Sequence, residues 1–374
     1  MPQRWTNLLM ALGVVVFFTA CQKSNYSSDQ PLSPSYSSSV FISSDNDIVY
    51  AFDPQNGQEH WHSSVSNNVN ATPILIGNNL FVPTLYGNIY IFDKNTGKTV
   101  KQISINSQII ASPISSGNMI YVAGVNDTLY ALDINTYAVK WKFATGGQII
   151  SSPTIYNGNV IFGSYDGKVY SVNQTDGSII WSYNAGTSNY FKSSPIVSGG
   201  NVYIGCYDSN LYTLNAVSGT LKWKYHTRAA IESSPIVYGG NVIFGSDDTY
   251  LYCVDTATGI ARWVSRTYDR IVSSPTASDQ VIFTASYDDT LYAFNILDGS
   301  VKWKFATGGA IKSSPLVYNG RVYFGSYDKS FYVVDTASGN LIWKNKLNNI
   351  IECSPIVGET TGSNFYPTIS GYKK

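Results

Sequence analysis

Hydrolytic, redox or metal chemistry in this chain would have to be built from three histidines, His60, His62 and His226, and four cysteines, Cys21, Cys206, Cys253 and Cys353. A nucleophile needs a base within hydrogen-bond reach, yet the abundant serines stand before prolines at regular intervals, which makes them repeat elements. His60 and His62 flank Trp61 and are expected at the surface. No CxxC pair or Cys/His spacing offers a tetrahedral metal set. Cys206, Cys253 and Cys353 each replace a small or apolar residue of the repeat, on three different strand types, and read as buried free thiols.

Binding chemistry has more to work with. His226, Arg228, Arg266, Tyr268, Asp269 and Arg270 fall in consecutive loops, and Tyr190 stands in the loop before them. Three of the six arginines of the chain lie here. Arg and Tyr combine area and hydrogen bonding at little entropic cost, so the cluster is a candidate partner-binding patch, with a solvated surface cluster as the alternative. A second set stands three residues before a series of prolines: Asn70, Ile110, Ile150, Lys192, Glu232, Val272, Lys312 and Glu352. If these line a channel at one level, Lys192 neighbours Glu232 and Lys312 neighbours Glu352. Such a ring either binds a polar small molecule or neutralises itself.

A repeat positions both sets. Pro73, Pro113, Pro153, Pro195, Pro235, Pro275, Pro315 and Pro355 are spaced by 40 residues in every interval but one, which is 42. Each unit reads as four short strands; the one from Ser313 to Trp343 has an Asn319-Gly320 turn, a Tyr327-Asp328 turn and a third turn of the form Asp/Asn-x-x-x-Gly-x-x-x-Trp. The period and its contents predict an all-β, eight-bladed β-propeller of four-stranded antiparallel blades. The first unit, near Ser39, lacks the leading strand and Pro355 has no blade after it, so N- and C-terminal strands are expected to share one blade. Asn364 to Tyr372 loosely echoes a second strand. Lys101 replaces the repeat Trp and Tyr137 the turn Gly. These two defects suggest a looser or partner-covered edge between residues 95 and 141, or neutral drift. The loops before each Ser-Ser-Pro strand, which carry the Arg and Tyr cluster, should share a face with the second hairpin of each blade.

Charges cancel, 24 basic against 24 acidic, and only 13% of residues are charged. No global field is present to attract nucleic acid. Aromatics make up 14% and recur at fixed positions, which assigns them to packing between sheets. Arg4 followed by the apolar run Leu8 to Phe18 reads as an export signal over residues 1–21, too short to remain as a membrane span. Residues 22–38, rich in Ser, Pro and Asn, read as a tether, and residues 39–374 as the propeller.

Phe18-Thr19-Ala20-Cys21 resembles the lipobox of bacterial lipoproteins, with Phe18 where Leu is usual. That resemblance implies cleavage before Cys21 and a lipid on it. Gln22, in place of Asp, implies sorting to the outer membrane, with the ring in the periplasm or at the cell surface. Over residues 39–357 the recurring Tyr-x-Leu/Val-Asp/Asn, Asp-x-x-x-Gly-x-x-x-Trp and Ser-Ser-Pro motifs resemble the pyrroloquinoline-quinone-like propeller repeat. One branch of that superfamily is the quinoprotein dehydrogenases, known for a calcium-bound quinone under a disulfide between adjacent cysteines. No two cysteines are adjacent here and every repeat is close to minimal length. The other branch is the non-catalytic lipoproteins typified by component B of the outer-membrane β-barrel assembly machinery, and it matches the whole plan. The resemblance implies a monomeric, non-enzymatic protein-binding scaffold that needs neither pyrroloquinoline quinone nor calcium. The alternatives are a small-ligand or quinone-binding propeller and a divergent dehydrogenase.

Overall fold

The computed structural model describes residues 36–186, 189–359 and 364–365. The export signal with Cys21, the tether up to residue 35 and the tail from residue 366 lie outside the described residues. Eight antiparallel sheets follow one another along the chain. Blade two spans Ile74–Ser104, three Ile114–Ala144, four Thr154–Asn184 and five Ile196–His226. Blades six, seven and eight span Ile236–Arg266, Thr276–Ala306 and Leu316–Lys346. Blade one joins the two ends: the strand Ser38–Ser44 pairs with Ile48–Phe52 on one side and with Ile356–Glu359 on the other, in the register Val40 to Val357. Asn364–Phe365 adds a short fifth strand beside it. Closure leaves no unpaired radial gap in the ring.

The Ser-Ser-Pro motif is a belt around the channel. The amide of the residue before each proline donates to the hydroxyl of its counterpart in the next blade: Thr72 to Ser112, Ser112 to Ser152, Ser152 to Ser194, and so on to Ser354, in seven bonds of 2.9–3.2 Å. The proline that follows has no amide to leave unpaired and holds its predecessor extended. The preceding serine accepts from its own blade; Ser193 and Ser233 donate to the carbonyl of the next blade, while Ser273 accepts from the Ala285 amide and donates to the Ala285 carbonyl. Cys353 does the same for Ser43, with both contacts at 3.2 Å. Cys353 is therefore a thiol standing in for a repeat serine. Cys206, Cys253 and Cys353 are all buried and free.

Trp and Gly staple the outer strands. At Gly97, where φ is 67°, a Cβ would stand 2.6 Å from the Trp61 ring of the preceding blade. The indole also donates to the carbonyl of Lys94. The same pairing recurs at seven interfaces, through Trp343 on Gly57 where the ring closes. The eighth, between blades two and three, carries Lys101 and Tyr137. These two defects compensate each other. Tyr137 takes the positive-φ position at 60° and sends its ring across to Phe81 of blade two, at 6.2 Å, where Phe41 and Tyr121 meet the Trp of their own blades. Tyr137 packs with Phe81, Ile91 and Ile103, so the edge expected to be loose is filled.

A second exchange sets the order of neighbours. In blades one, two and seven the third strand carries Phe52, Phe92 and Phe294, and the outer strand of the preceding blade presents Asn345, Ser63 and Ser265. Elsewhere the third strand carries Leu or Val and the preceding outer strand supplies bulk, as Phe143, Tyr183, Tyr225 and Phe305 do against Tyr170, Tyr212, Tyr252 and Tyr332. Volume is conserved across each interface. Exposed lysines such as Lys140, Lys222 and Lys302 lie on the outermost strands, where charge blocks edge pairing.

Candidate functional site

The loops entering each blade and the second hairpin of that blade do share a face, here the upper face. The amide of Asp247 donates to the carbonyl of Ala230, and that of Tyr287 to the carbonyl of Arg270. The Asp247-Asp248 and Tyr287-Asp288 turns hold these loops. Asp248 accepts the Arg228 amide at 2.9 Å and the Tyr252 hydroxyl at 2.6 Å; Asp288 accepts the Tyr268 amide at 2.7 Å and the Tyr292 hydroxyl at 2.6 Å. Thr227 and Thr267 close each loop by donating to the carbonyls of Ala229 and Asp269. Backbone bonds are thus satisfied inside the loop, and the side chains of Arg228 and Tyr268 are left to solvent.

The arginines stack on aromatic rings, and Arg270 acts on the carboxylates of Glu232 and Asp247 only at longer range. The guanidinium carbons of Arg228 and Arg266 lie 5.5 and 6.0 Å from the centre of the Tyr250 ring, and that of Arg270 lies 4.2 Å from Tyr287. Lys304 lies 5.1 Å from Tyr268, whose exposure of 78% is the highest of any large apolar side chain among the described residues. None of the three arginines takes part in an ion pair among the described residues. His226 is exposed and meets the Asn210 side chain at 3.3 Å. Tyr190 belongs to a different group, with its ring 5.0 Å from Tyr165 and 6.2 Å from Tyr207. Sequence reasoning missed Tyr250, Tyr287 and Lys304, which lie in the blade that each loop enters and meet its side chains only across the folded sheet.

The ring of residues three before each proline is broken into two charged groups. Lys192 meets Glu232 at 2.5 Å and Lys312 meets Glu352 at 2.6 Å. Each carboxylate also accepts a tyrosine hydroxyl, Tyr207 on Glu232 and Tyr327 on Glu352, and Asn70 donates to Glu352 at 2.9 Å. Burial alone would raise the pKa of either glutamate, but the Lys and Tyr bonds outweigh it and hold both below the ordinary value. The same blades supply a second acid to each group, Asp247 near Glu232 and Asp45 near Glu352. Burial first, and then the neighbouring glutamate, pushes each aspartate up to about 6. The Oδ1 atoms of Asp45 and Asp247 are buried without a hydrogen-bond partner. Each group thus holds one Lys–Glu pair beside a second buried acid, and among the described residues no cluster of His, Cys, Asp and Glu is placed to hold a metal ion.

His60, expected at the surface, has a side chain only 6% exposed. Its ring stacks on Tyr36 at 3.5 Å and bonds Ser39 at 2.9 Å, so it packs the entrance of the chain into the ring. Burial lowers its pKa, opposed by Asp53. His62 is exposed and pairs with Glu59 at 2.6 Å.

The family model for the outer membrane protein assembly factor BamB matches residues 22–102, 86–271 and 268–362. The chain belongs to the BamB family. BamB from Moraxella catarrhalis is similar in structure, with a TM-score of 0.68 at 19% identity over 76% of this chain and 90% of that one. The computationally designed Ika8 protein is similar at a TM-score of 0.69 and 16% identity, over 80% of this chain and 96% of that one. So is a quinohemoprotein alcohol dehydrogenase from Pseudomonas putida HK5, at 0.67 and 13%, over 82% of this chain and 71% of that one. At these identities the structures bear on the fold alone. No curated protein matches the chain.

Proposed function

We propose that this BamB-family chain is a non-enzymatic scaffold of the cell envelope that binds protein partners of outer-membrane assembly through the upper face of its ring. The observation that carries this reading is the set of three arginines held over tyrosines, without ion-pair partners among the described residues, beside the exposed Tyr268. Rigid loops presenting Arg and Tyr bind at low entropic cost. A lipid on Cys21 would hold the ring at the outer membrane. The strand Ser38–Ser44 starts on the lower face, because its far end leads into the upper-face turn at Asp45.

The quinoprotein reading has support from the shared ring alone. Its disulfide needs adjacent cysteines, and Cys206, Cys253 and Cys353 lie in blades five, six and one. Crosslinking of the tagged full chain in its native envelope, read by mass spectrometry, tests the scaffold. Crosslinks from upper-face loops to components of β-barrel assembly are expected. Crosslinks confined to other proteins, or turnover of alcohols with added pyrroloquinoline quinone and calcium, would contradict it.

A further inference from the structure

The three most exposed aliphatic side chains among the described residues are Leu297 at 74%, Ile260 at 68% and Val217 at 65%. All three stand on the lower face of consecutive blades. Val217 and Leu297 hold the same position in the third turns of blades five and seven, and Ile260 follows the turn glycine of blade six. Blades one to four carry Gln55, Asn95, Asn135 and Thr175 at the position of Val217, so the repeat does not demand an apolar tip there. The turns are fixed from behind: Asn215 accepts the amides of Val217 and Ser218, and Trp181 and Trp263 donate to the carbonyls of Ala216 and Ile296. Rigid backbone carries outward aliphatic tips. Leu221 and Val301 extend the apolar character onto the outer strands, flanked by the exposed cations Lys222 and Lys302, while Arg262 is paired with Asp255 at 2.6 Å.

These tips protrude. A folded partner would need a separate pocket for each, whereas the headgroup boundary of a bilayer admits aliphatic tips anywhere and meets flanking cations with phosphate. The path of the chain agrees. The strand Ser38–Ser44 enters the ring from this same lower face, 17 residues after Cys21 in the sequence. We propose that the lower face of blades five to seven rests on an anionic phospholipid surface, with Val217, Ile260 and Leu297 in the interface and Lys222 and Lys302 on headgroup phosphates. This goes beyond the scaffold reading, which needs no particular orientation of the ring.

The full chain with Cys21→Ser, which cannot carry a lipid on that residue, is sedimented with vesicles of phosphatidylethanolamine and phosphatidylglycerol. Binding weakened by salt is expected, with a loss of about tenfold or more when Val217→Ser, Ile260→Ser and Leu297→Ser are combined. The Arg228→Ala, Tyr268→Ala, Arg270→Ala variant should bind vesicles as the parent does, which separates this proposal from the partner face. In the lipidated chain, a fluorophore on Leu297→Cys should be quenched by spin-labelled lipid, and one on Tyr268→Cys should not. Equal vesicle binding with and without the three tips, or equal quenching at both positions, would overturn the proposal. So would protection of the Leu297 label by envelope proteins in the absence of lipid.

Discussion

Tyr137 of blade three lies 6.2 Å, ring centre to ring centre, from Phe81 of blade two, and takes the place that the indole of the preceding blade holds at the other interfaces. Lys101 and Tyr137 are thus one exchange, in which the aromatic has moved from one blade to its neighbour.

Restoring the repeat at this interface should require both changes. Lys101→Trp alone forces an indole onto Tyr137, and Tyr137→Gly alone leaves Phe81 facing a gap; each should cost about 1–3 kcal/mol. The double variant should recover most of that loss in thermal unfolding. Additive losses would show that the two positions are independent.

The Phe294 and Ser265 interface makes the same kind of test in a better-packed place. Phe294→Val opens a cavity beside Trp263, and Ser265→Phe overfills the site; singly each should destabilise by about 1–3 kcal/mol. Together they reproduce the Val and aromatic arrangement of blades four and eight. A chemical-denaturation cycle should show favourable coupling, and a double variant worse than the sum would contradict volume exchange.

Asp247 gives a pH signature. Its carboxyl is raised to about 6 in the folded ring, by burial first and then by Glu232. The folded state therefore holds the proton more tightly than the unfolded chain, so the cost of its charge is absent below about pH 4, grows through the window between, and is complete above 6. Asp247→Asn should raise Tm at pH 7.5 and lose that advantage at pH 4. His60, lowered by burial, works in the opposite direction: its contribution is present above 6.5 and falls as pH drops through its lowered value. The variant must therefore be compared with its parent at each pH. An equal gain at both pH values would contradict the assignment.

Closure rests on Ile356–Glu359 and on Cys353. Truncation after Lys346 should give insoluble protein or a transition well below that of the full chain, because it exposes strand edges on both sides of the break. Cys353→Ser should be tolerated, since serine makes the same two bonds elsewhere in the belt, while Cys353→Ala leaves the Ser43 amide unpaired at a cost of about 1–3 kcal/mol. An unchanged melting curve for the truncated chain would show that the ring closes another way.

Much of the fold was legible in the sequence, because the Ser-Ser-Pro and Asp-x-x-x-Gly-x-x-x-Trp motifs recur in phase and each has a local geometric role. The exchanges were not. Lys101 and Tyr137 are defects when read along the chain and partners only across an interface. His60 reads as a rim residue until Tyr36 and Ser39 are seen to cover it. The loop residues Arg228, Arg266, Tyr268 and Arg270 could be placed on one face from the repeat. What supports them, the rings of Tyr250 and Tyr287, comes from neighbouring hairpins and shows only in three dimensions.

Partner capture by the tagged full chain tests the scaffold reading most directly, with Arg228, Tyr268 and Arg270 changed together to Ala and with Lys140 changed to Ala as the rim comparison. The loop variant should melt like the parent, because exposed loop side chains contribute little to the core, and should capture crosslinked partners at least about tenfold less well, given hot-spot costs of about 1–4 kcal/mol each. The rim variant should capture normally. Equal capture by the loop variant and the parent, both folded, would contradict the upper face as the binding surface.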